Sequence, residues 1–260
     1  GKGVVICPTR QEVFDALKSV MVDLKFGENA GRKVVMEEFM TGREVTVLAF
    51  CDGKTLLPMP ASQDHKKAYD GDKGANTGGM GAFAPTPYFS EQDKNEFLQN
   101  IALPTLKGLE KEGIVFKGVL YFGLMKTSGG LKVVEYNARF GDPETQVVLA
   151  LLKSDLLEIV NAVIEGRLDC TEVLWSDETA LTVVVADGGY PDNVVKGKEI
   201  RIGDLDGVRL IHAGTKLDGG RLKTNGGRVF NVVGVAESLD KARKKVYGQI
   251  DKVGFEGARY

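Results

Sequence analysis

The 260-residue sequence has no apolar run near the roughly 18 residues that suggest a membrane span, and no charged-then-apolar leader opens it. A soluble, cytoplasmic chain is the expectation. Histidine is scarce, with His65 and His212 alone, and Cys7, Cys51 and Cys170 stand far apart without C-x-x-C spacing. That scarcity argues against a zinc site and a disulfide framework, and leaves the cysteines as reduced packing thiols. A charge excess is missing too: 34 Lys and Arg against 36 Asp and Glu leave a formal charge of −2. Nothing in that balance favours nucleic acid or an anionic membrane, so small or neutral partners fit better. There is no internal repeat or low-complexity segment, and no Ser-His-Asp or Cys-His set is apparent. The remainder, 43% hydrophobic and 27% charged residues, is globular and long enough for one large domain or two ordinary ones.

Local patterning gives an α+β order. Val4 to Ile6 reads as a strand, and Thr9 to Glu12 has capping-box spacing ahead of Val13, Leu17, Val20, Met21 and Leu24 at helical intervals. The segments 33–39 (KVVMEEF) and 43–50 (REVTVLAF) read as strands, and a turn at Cys51 to Lys54 leads into another. A helix packed on an antiparallel sheet follows. Residues 61–88 are Gly- and Asp-rich and lack periodicity, which predicts a long functional loop. Ser90 caps a helix from Glu91 to Glu112, and strands at 115–126 and 131–139 are joined by Ser128-Gly129-Gly130. Pro143 begins one helix and Ser154 caps another reaching Glu165, with a connection over 169–177. From Ala180 short strands and Gly-rich turns take over, ending in a helix from Leu239 to Val253. This texture predicts two domains, 1–176 and 177–260, the second small and β-rich.

The chemistry concentrates in VVEYNARFGDPETQ, residues 133–146. Strand alternation puts Glu135, Asn137 and Arg139 on one face and Val134, Tyr136 and Ala138 on the other. Magnesium held on a nucleotide takes one or two protein oxygens, which Glu135 and Asn137 supply, while the planar Arg139 guanidinium suits a transferring phosphoryl group. At the start, Gly1-Lys2-Gly3 allows close backbone approach to phosphates. A P-loop would need Ser or Thr after the Lys and a helix next; here Gly3 and a strand follow. MEEF offers extended backbone to an adenine edge and carboxylates to ribose hydroxyls, or is simply a half-buried strand with a charged end. His65 either orients substrate or anchors its loop. Trp175 reads as a packing residue, and 241–245 (KARKK) as a solvated helix face.

These stretches together, GKGV, EEF followed by GRE, QDHK, NTGGMGAFAP, EYNARFGDPETQ, GGYP, HAGTKL and TNGGRVF, closely resemble the glycinamide ribonucleotide synthetase (phosphoribosylamine–glycine ligase) family over essentially the whole chain. NTGGMGA together with NARFGDPETQ is highly specific to it. The resemblance implies an ATP-grasp domain followed by a small β-rich C-terminal domain. It also implies ligation of glycine to 5-phosphoribosylamine with ATP in purine biosynthesis, through glycyl phosphate.

Carried over by position, Glu135 and Asn137 are similar to the family's ligands for Mg2+, with Mn2+ as the alternative. Gly1, Lys2 and Gly3 resemble the end of the loop that closes over ATP phosphates. Glu37, Glu38 and Phe39 resemble the adenine-binding linker. Glu44 resembles the ribose ligand, a role for which Glu37 and Glu38 compete. Asn76, Thr77, Gly78, Gly79, Met80 and Gly81 resemble substrate-facing residues, as do Asp142, Pro143 and Glu144; which of them meet glycine and which phosphoribosylamine stays open. Arg139 and Asp142 are the candidate catalytic residues. Since both nucleophiles belong to substrates, no protein nucleophile is required. Two departures stand out: Ala75 replaces the Pro that many relatives carry, and the family's N-terminal part is missing. A truncated chain that holds nucleotide weakly and turns over poorly or not at all is the expectation, with a non-catalytic nucleotide-binding fragment or another ATP-grasp ligase as the alternative and the intact protein open to fusion with other purine-synthesis domains.

Overall fold

The computed structural model describes residues 4–260, so the expected phosphate-loop residues Gly1, Lys2 and Gly3 lie outside it. By its contacts the chain divides into two units, residues 1–41 and 42–260. In the first, Thr9 caps α1 (Arg10–Leu17), its hydroxyl oxygen accepting from the Glu12 amide at 3.3 Å. A π-helical turn over Lys18–Val22 and the short α2 (Glu28–Gly31) follow. The strands expected over 4–6 and 33–39 are absent. Their β-branched residues lack a ladder: no strand is assigned among the described residues of this unit, and Val34, Val35, Met36 and Phe39 are exposed.

The second unit begins with β1 (Arg43–Cys51) and β2 (Leu56–Pro58). Residues 63–84, expected as a loop, form the hairpin β3 (Gln63–Tyr69) and β4 (Lys73–Ala84). Composition misled here, because β4 uses small residues for close packing: a Cβ on Gly81 would come within 2.8 Å of the Thr182 carbonyl oxygen. Ser90 and Asp93 form a reciprocal capping box on α3 (Glu91–Phe97), and the helix continues through a π-helical turn, Leu98–Ala102, into α4 (Leu103–Lys111). Pro104, at the start of α4, has no N–H for the regular ladder, which accounts for the irregular turn before it.

Next come β5 (Gly118–Thr127), β6 (Gly130–Asn137), α5 (Glu144–Val148) and α6 (Leu156–Glu165). The α6 cap is Asp155, accepting from the Leu157 amide at 2.7 Å, and not Ser154, whose hydroxyl accepts from the Leu174 amide at 2.8 Å. The remaining elements are β7 (Thr179–Asp187), β8 (Arg201–Ile202), β9 (Val208–His212), β10 (Thr215–Asp218), β11 (Arg221–Thr224), β12 (Arg228–Ala236), α7 (Leu239–Tyr247), β13 (Val253–Gly254) and β14 (Ala258–Arg259). The last helix stops at Tyr247, shorter than expected, and a 3-10 turn at Ile250–Lys252 fills part of the difference. Its Lys and Arg run is exposed, as expected, while Ala242 and Val246 are buried.

Two antiparallel sheets organise the unit. One has the order β2-β1-β5-β6; the other runs β3-β4-β7-β12-β9, with β14 also on β7. The second sheet draws strands from both sides of residue 176, because β4 pairs with β7. Phe97, Ile101 and Phe122 belong to a core between α3–α4 and one face of the first sheet. On its other face, Leu48, Phe50 and Tyr121 pack with Val147, Leu151 and Ile159, with Ala82 and Ala180 of the second sheet, and with Trp175. A third core joins the second sheet to α7 through Val232, Phe230 and Val246. Cys51 is buried and its thiol donates to the Phe116 carbonyl at 3.3 Å; all three cysteines are free thiols.

Candidate functional site

Residues opposite one another in antiparallel strands project from the same face. Thr46 lies opposite Gly123 and Leu48 opposite Tyr121, while Gly123 and Tyr121 lie opposite Glu135 and Asn137. With Glu44 two residues before Thr46, these positions place Glu44, Thr46, Tyr121, Glu135 and Asn137 on one face of the four-stranded sheet. Strict alternation along β6 would not do this. Leu131 and Val133 pack with Phe122 and Leu124 on the helix-covered face, so Glu135 would follow them into that core. One extra residue prevents it: Val133 pairs with Leu124 and Glu135 with Gly123, leaving Val134 as a bulge. Tyr136 then takes the helix side, its ring 5.4 Å from Phe122 and its hydroxyl 3.0 Å from Thr105 Oγ1. The expected grouping of Val134 with Tyr136 is therefore corrected; Val134 lines a small recess with Glu44, Thr46, Lys66 and Glu135.

Beside that recess, Asn137 Nδ2 donates to Glu135 Oε1 at 3.2 Å. The carboxylate and carboxamide are thus side by side, and turning the carboxamide over would put two oxygens toward a shared cation. Gly123 makes room, since a Cβ there would sit 3.0 Å from Glu135 Cγ. No group of three or more His, Cys, Asp and Glu side chains suited to a metal occurs among the described residues. The donor set therefore fits a cation that takes most of its ligands from phosphate and water. Arg139 lies beyond the end of β6, which stops at Asn137 rather than 139. Its guanidinium is 5.9 Å from the Tyr121 ring centroid and donates to the Phe140 carbonyl at 2.7 Å.

β3 adds two groups that sequence reasoning passed over. Lys66 forms an ion pair with Glu44 and lies 3.9 Å from Asp64 Oδ1. Burial acts to lower the Lys66 pKa, but Asp64, Glu44 and Glu135 outweigh it and hold the ammonium above its ordinary value. Burial pushes the Asp64 carboxyl up to about 6 against the opposing charge of Lys66, with Glu144 and Glu44 adding to the rise. Buried Glu144 accepts from the Tyr121 hydroxyl at 2.8 Å and from Thr46 Oγ1 at 3.5 Å. Burial, and then the Glu144 charge, raise the Tyr121 pKa. The missed signal was the spacing of Asp64 and Lys66, which place them on one side of a strand once 63–69 is no loop. His65 is on the other side, its ring 5.9 Å from Phe83, a packing contact.

The predicted substrate-facing stretches meet. Thr77 Oγ1 donates to the Lys66 carbonyl at 2.8 Å and accepts from the Gly79 amide at 3.0 Å. Gly79 has φ of +113°, and a Cβ there would come within 2.4 Å of Pro143 Cδ, so glycine is required both by conformation and by space. Gly79 is thereby laid against Asp142 and Pro143, and Gln146 Nε2 donates to Asp142 Oδ1 at 2.8 Å. Glu37, Glu38 and Phe39 belong to the first unit, where they are exposed and outside any strand.

Two family models match the chain: phosphoribosylglycinamide synthetase, ATP-grasp (A) domain, over residues 1–145, and phosphoribosylglycinamide synthetase, C domain, over residues 180–260. The chain belongs to the phosphoribosylglycinamide synthetase family. It is 48% identical over 251 residues to a phosphoribosylamine–glycine ligase of Brucella melitensis, covering 95% of this chain and 58% of that protein. It is 45% identical to the trifunctional purine biosynthetic protein adenosine-3 of Gallus gallus, over 100% of this chain and 26% of that one. A crystal structure of phosphoribosylamine–glycine ligase from Thermotoga maritima superposes with a TM-score of 0.87 at 36% identity, covering 100% of this chain and 65% of the other. The α+β, ATP-grasp expectation stands on these matches. The chain thus spans less than two thirds of the length of these relatives.

Proposed function

We propose that the chain carries the phosphoryl- and acyl-transfer site of an ATP-dependent ligase joining glycine to 5-phosphoribosylamine, with ADP and phosphate as the other products. The observation that carries this reading is the bulge at Val134, which sets Glu135 and Asn137 on the same sheet face as Glu44 and Tyr121, with Lys66 of β3 lining the recess beside Glu135. Glycine's carboxylate is a poor electrophile until ATP converts it to an acyl phosphate, which the amine of phosphoribosylamine then attacks. Glu135 and Asn137 would hold Mg2+, or Mn2+, whose role is to neutralise phosphate charge. Arg139 faces the phosphoryl group in transfer, and the Glu44–Lys66 pair presents a carboxylate for ribose and an ammonium for phosphate oxygens. Gly78, Gly79 and Asp142 to Glu144 form the wall that receives the two small substrates and excludes water from the acyl phosphate. In this reading Glu37 to Phe39 keep the adenine-linker role, and Gly1 to Gly3 the phosphate-loop role, that the family resemblance implies.

The same reading divides the chain near residue 176, just before β7, and places it in the cytoplasm. No described helix is long and apolar enough to cross a membrane. Fusion to further purine-synthesis activities, as in the trifunctional relative, is compatible with it. The test is ADP formation by the chain supplied with ATP, magnesium, glycine and phosphoribosylamine. We expect ADP release that needs both glycine and the amine; release independent of glycine, or none, contradicts the proposal.

A further inference from the structure

The Arg228 side chain is one-fifth exposed and reaches back across 150 residues of sequence to the glycine-rich strand. Its Nη1 donates to the Gly78 carbonyl at 2.8 Å, the Gly79 carbonyl at 3.3 Å and the Asp142 carbonyl at 2.9 Å. Its Nη2 donates to Asp142 Oδ2 at 3.0 Å. A second contact from the same part of the chain supports this grip: the Gly78 amide donates to the Tyr190 hydroxyl at 2.8 Å, and the Tyr190 ring lies against Gly227, next to Arg228.

We propose that Arg228 is a positioning residue for the substrate wall, fixing the Gly78–Gly79 backbone on Asp142 so that these segments meet glycine and phosphoribosylamine as one rigid surface. This rests on the function proposed above. A guanidinium suits the task because its planar fork donates in several fixed directions at once, whereas an ammonium radiates three donors from one point. With Nη1 directed at three carbonyls, the peptides on both sides of the wall are locked by one group. Asp142, held on one oxygen by Arg228 and on the other by Gln146, is oriented without being buried. Arg228 itself is not called on to touch the reacting atoms.

The test compares the full chain with Arg228→Lys, which keeps the charge, and Tyr190→Phe, which removes only the acceptor for Gly78. Steady-state kinetics would be run alongside amide hydrogen exchange at Gly78 and Gly79. In Arg228→Lys we expect kcat/KM for glycine and the amine to fall on the order of 10- to 100-fold, with KM for ATP unchanged. Exchange at Gly78 and Gly79 should accelerate while the amides of β7 and β12 keep their protection. Tyr190→Phe should move both readouts in the same direction by less. Unchanged kinetics and exchange overturn the proposal, and so does a uniform loss in which KM for ATP and β7 and β12 protection suffer equally, since that is a structural role only. If the wild-type chain shows no ligation, the functional reading fails separately. Local exchange then decides alone: faster exchange confined to Gly78 and Gly79 supports the placement by Arg228, and equal exchange overturns it.

Discussion

The Asp64 side chain is buried beside Glu144, with the partly exposed Glu44 and the Lys66 ammonium close by. Its pKa rises to about 6 because burial disfavours the ionised form and because Glu144 and Glu44 are near. A carboxyl raised in the folded state binds protons more tightly than in the unfolded chain. Its stabilising contribution is therefore complete below the unfolded value and is lost as pH climbs through the folded one. For a shift from 3.8 to about 6, wild type should lose about 2 kcal/mol more than Asp64→Asn between pH 4.5 and 7. Urea unfolding of both proteins at the two pH values measures this, and parallel pH profiles would show that Asp64 ionises normally. At this scale the sequence was informative about polar residues that recur on strands, such as Glu135 and Asn137. It was silent about Asp64 and Lys66, because their meaning depends on Glu144, which is 80 positions away along the chain and adjacent in space.

At the scale of elements, hydrophobic patterning, helped by cap residues, found α3–α4, α6, β1, β5 and β6. It lost β3 and β4, whose glycines serve contact with Pro143, Thr182 and Arg228 rather than turn formation. It also assigned strands over 4–6 and 33–39 from β-branched residues that find no ladder within the described residues. The bulge in β6 was legible in retrospect: two adjacent valines, Val133 and Val134, precede a change in which parity is polar. A one-residue slip moves every later side chain to the other face. Deleting Val134 should remove the bulge yet leave Val133 opposite Leu124 and Glu135 opposite Gly123, so Glu135 stays on the recess face and the protein loses only about 1 kcal/mol. Denaturant melts test this. A loss above about 3 kcal/mol would mean that closing the bulge forces Glu135 into the core.

For the whole molecule, the boundary expected near 176 is crossed by hydrogen bonds, because β4 and β7 belong to one sheet and Arg228 binds residues of both β4 and the 139–143 turn. Short strands and Gly-rich turns mark a change of texture after that point, but pairing between distant strands leaves no trace in local patterning. The family motifs carried the rest, since Gly79 of NTGGMG packs against Pro143 of NARFGDPE. In the proposed function, the recess lined by Glu44, Lys66 and Glu135 holds a metal-bound nucleotide. The most direct measurement is calorimetric titration of a non-hydrolysable ATP analogue into the full chain, with and without magnesium, wild type beside Glu135→Ala. Binding that tightens with magnesium in wild type and loses that dependence in Glu135→Ala is the predicted result. Binding indifferent to magnesium, or equally magnesium-dependent in the variant, would contradict the assignment of Glu135 and Asn137 and with it the account of how this site works.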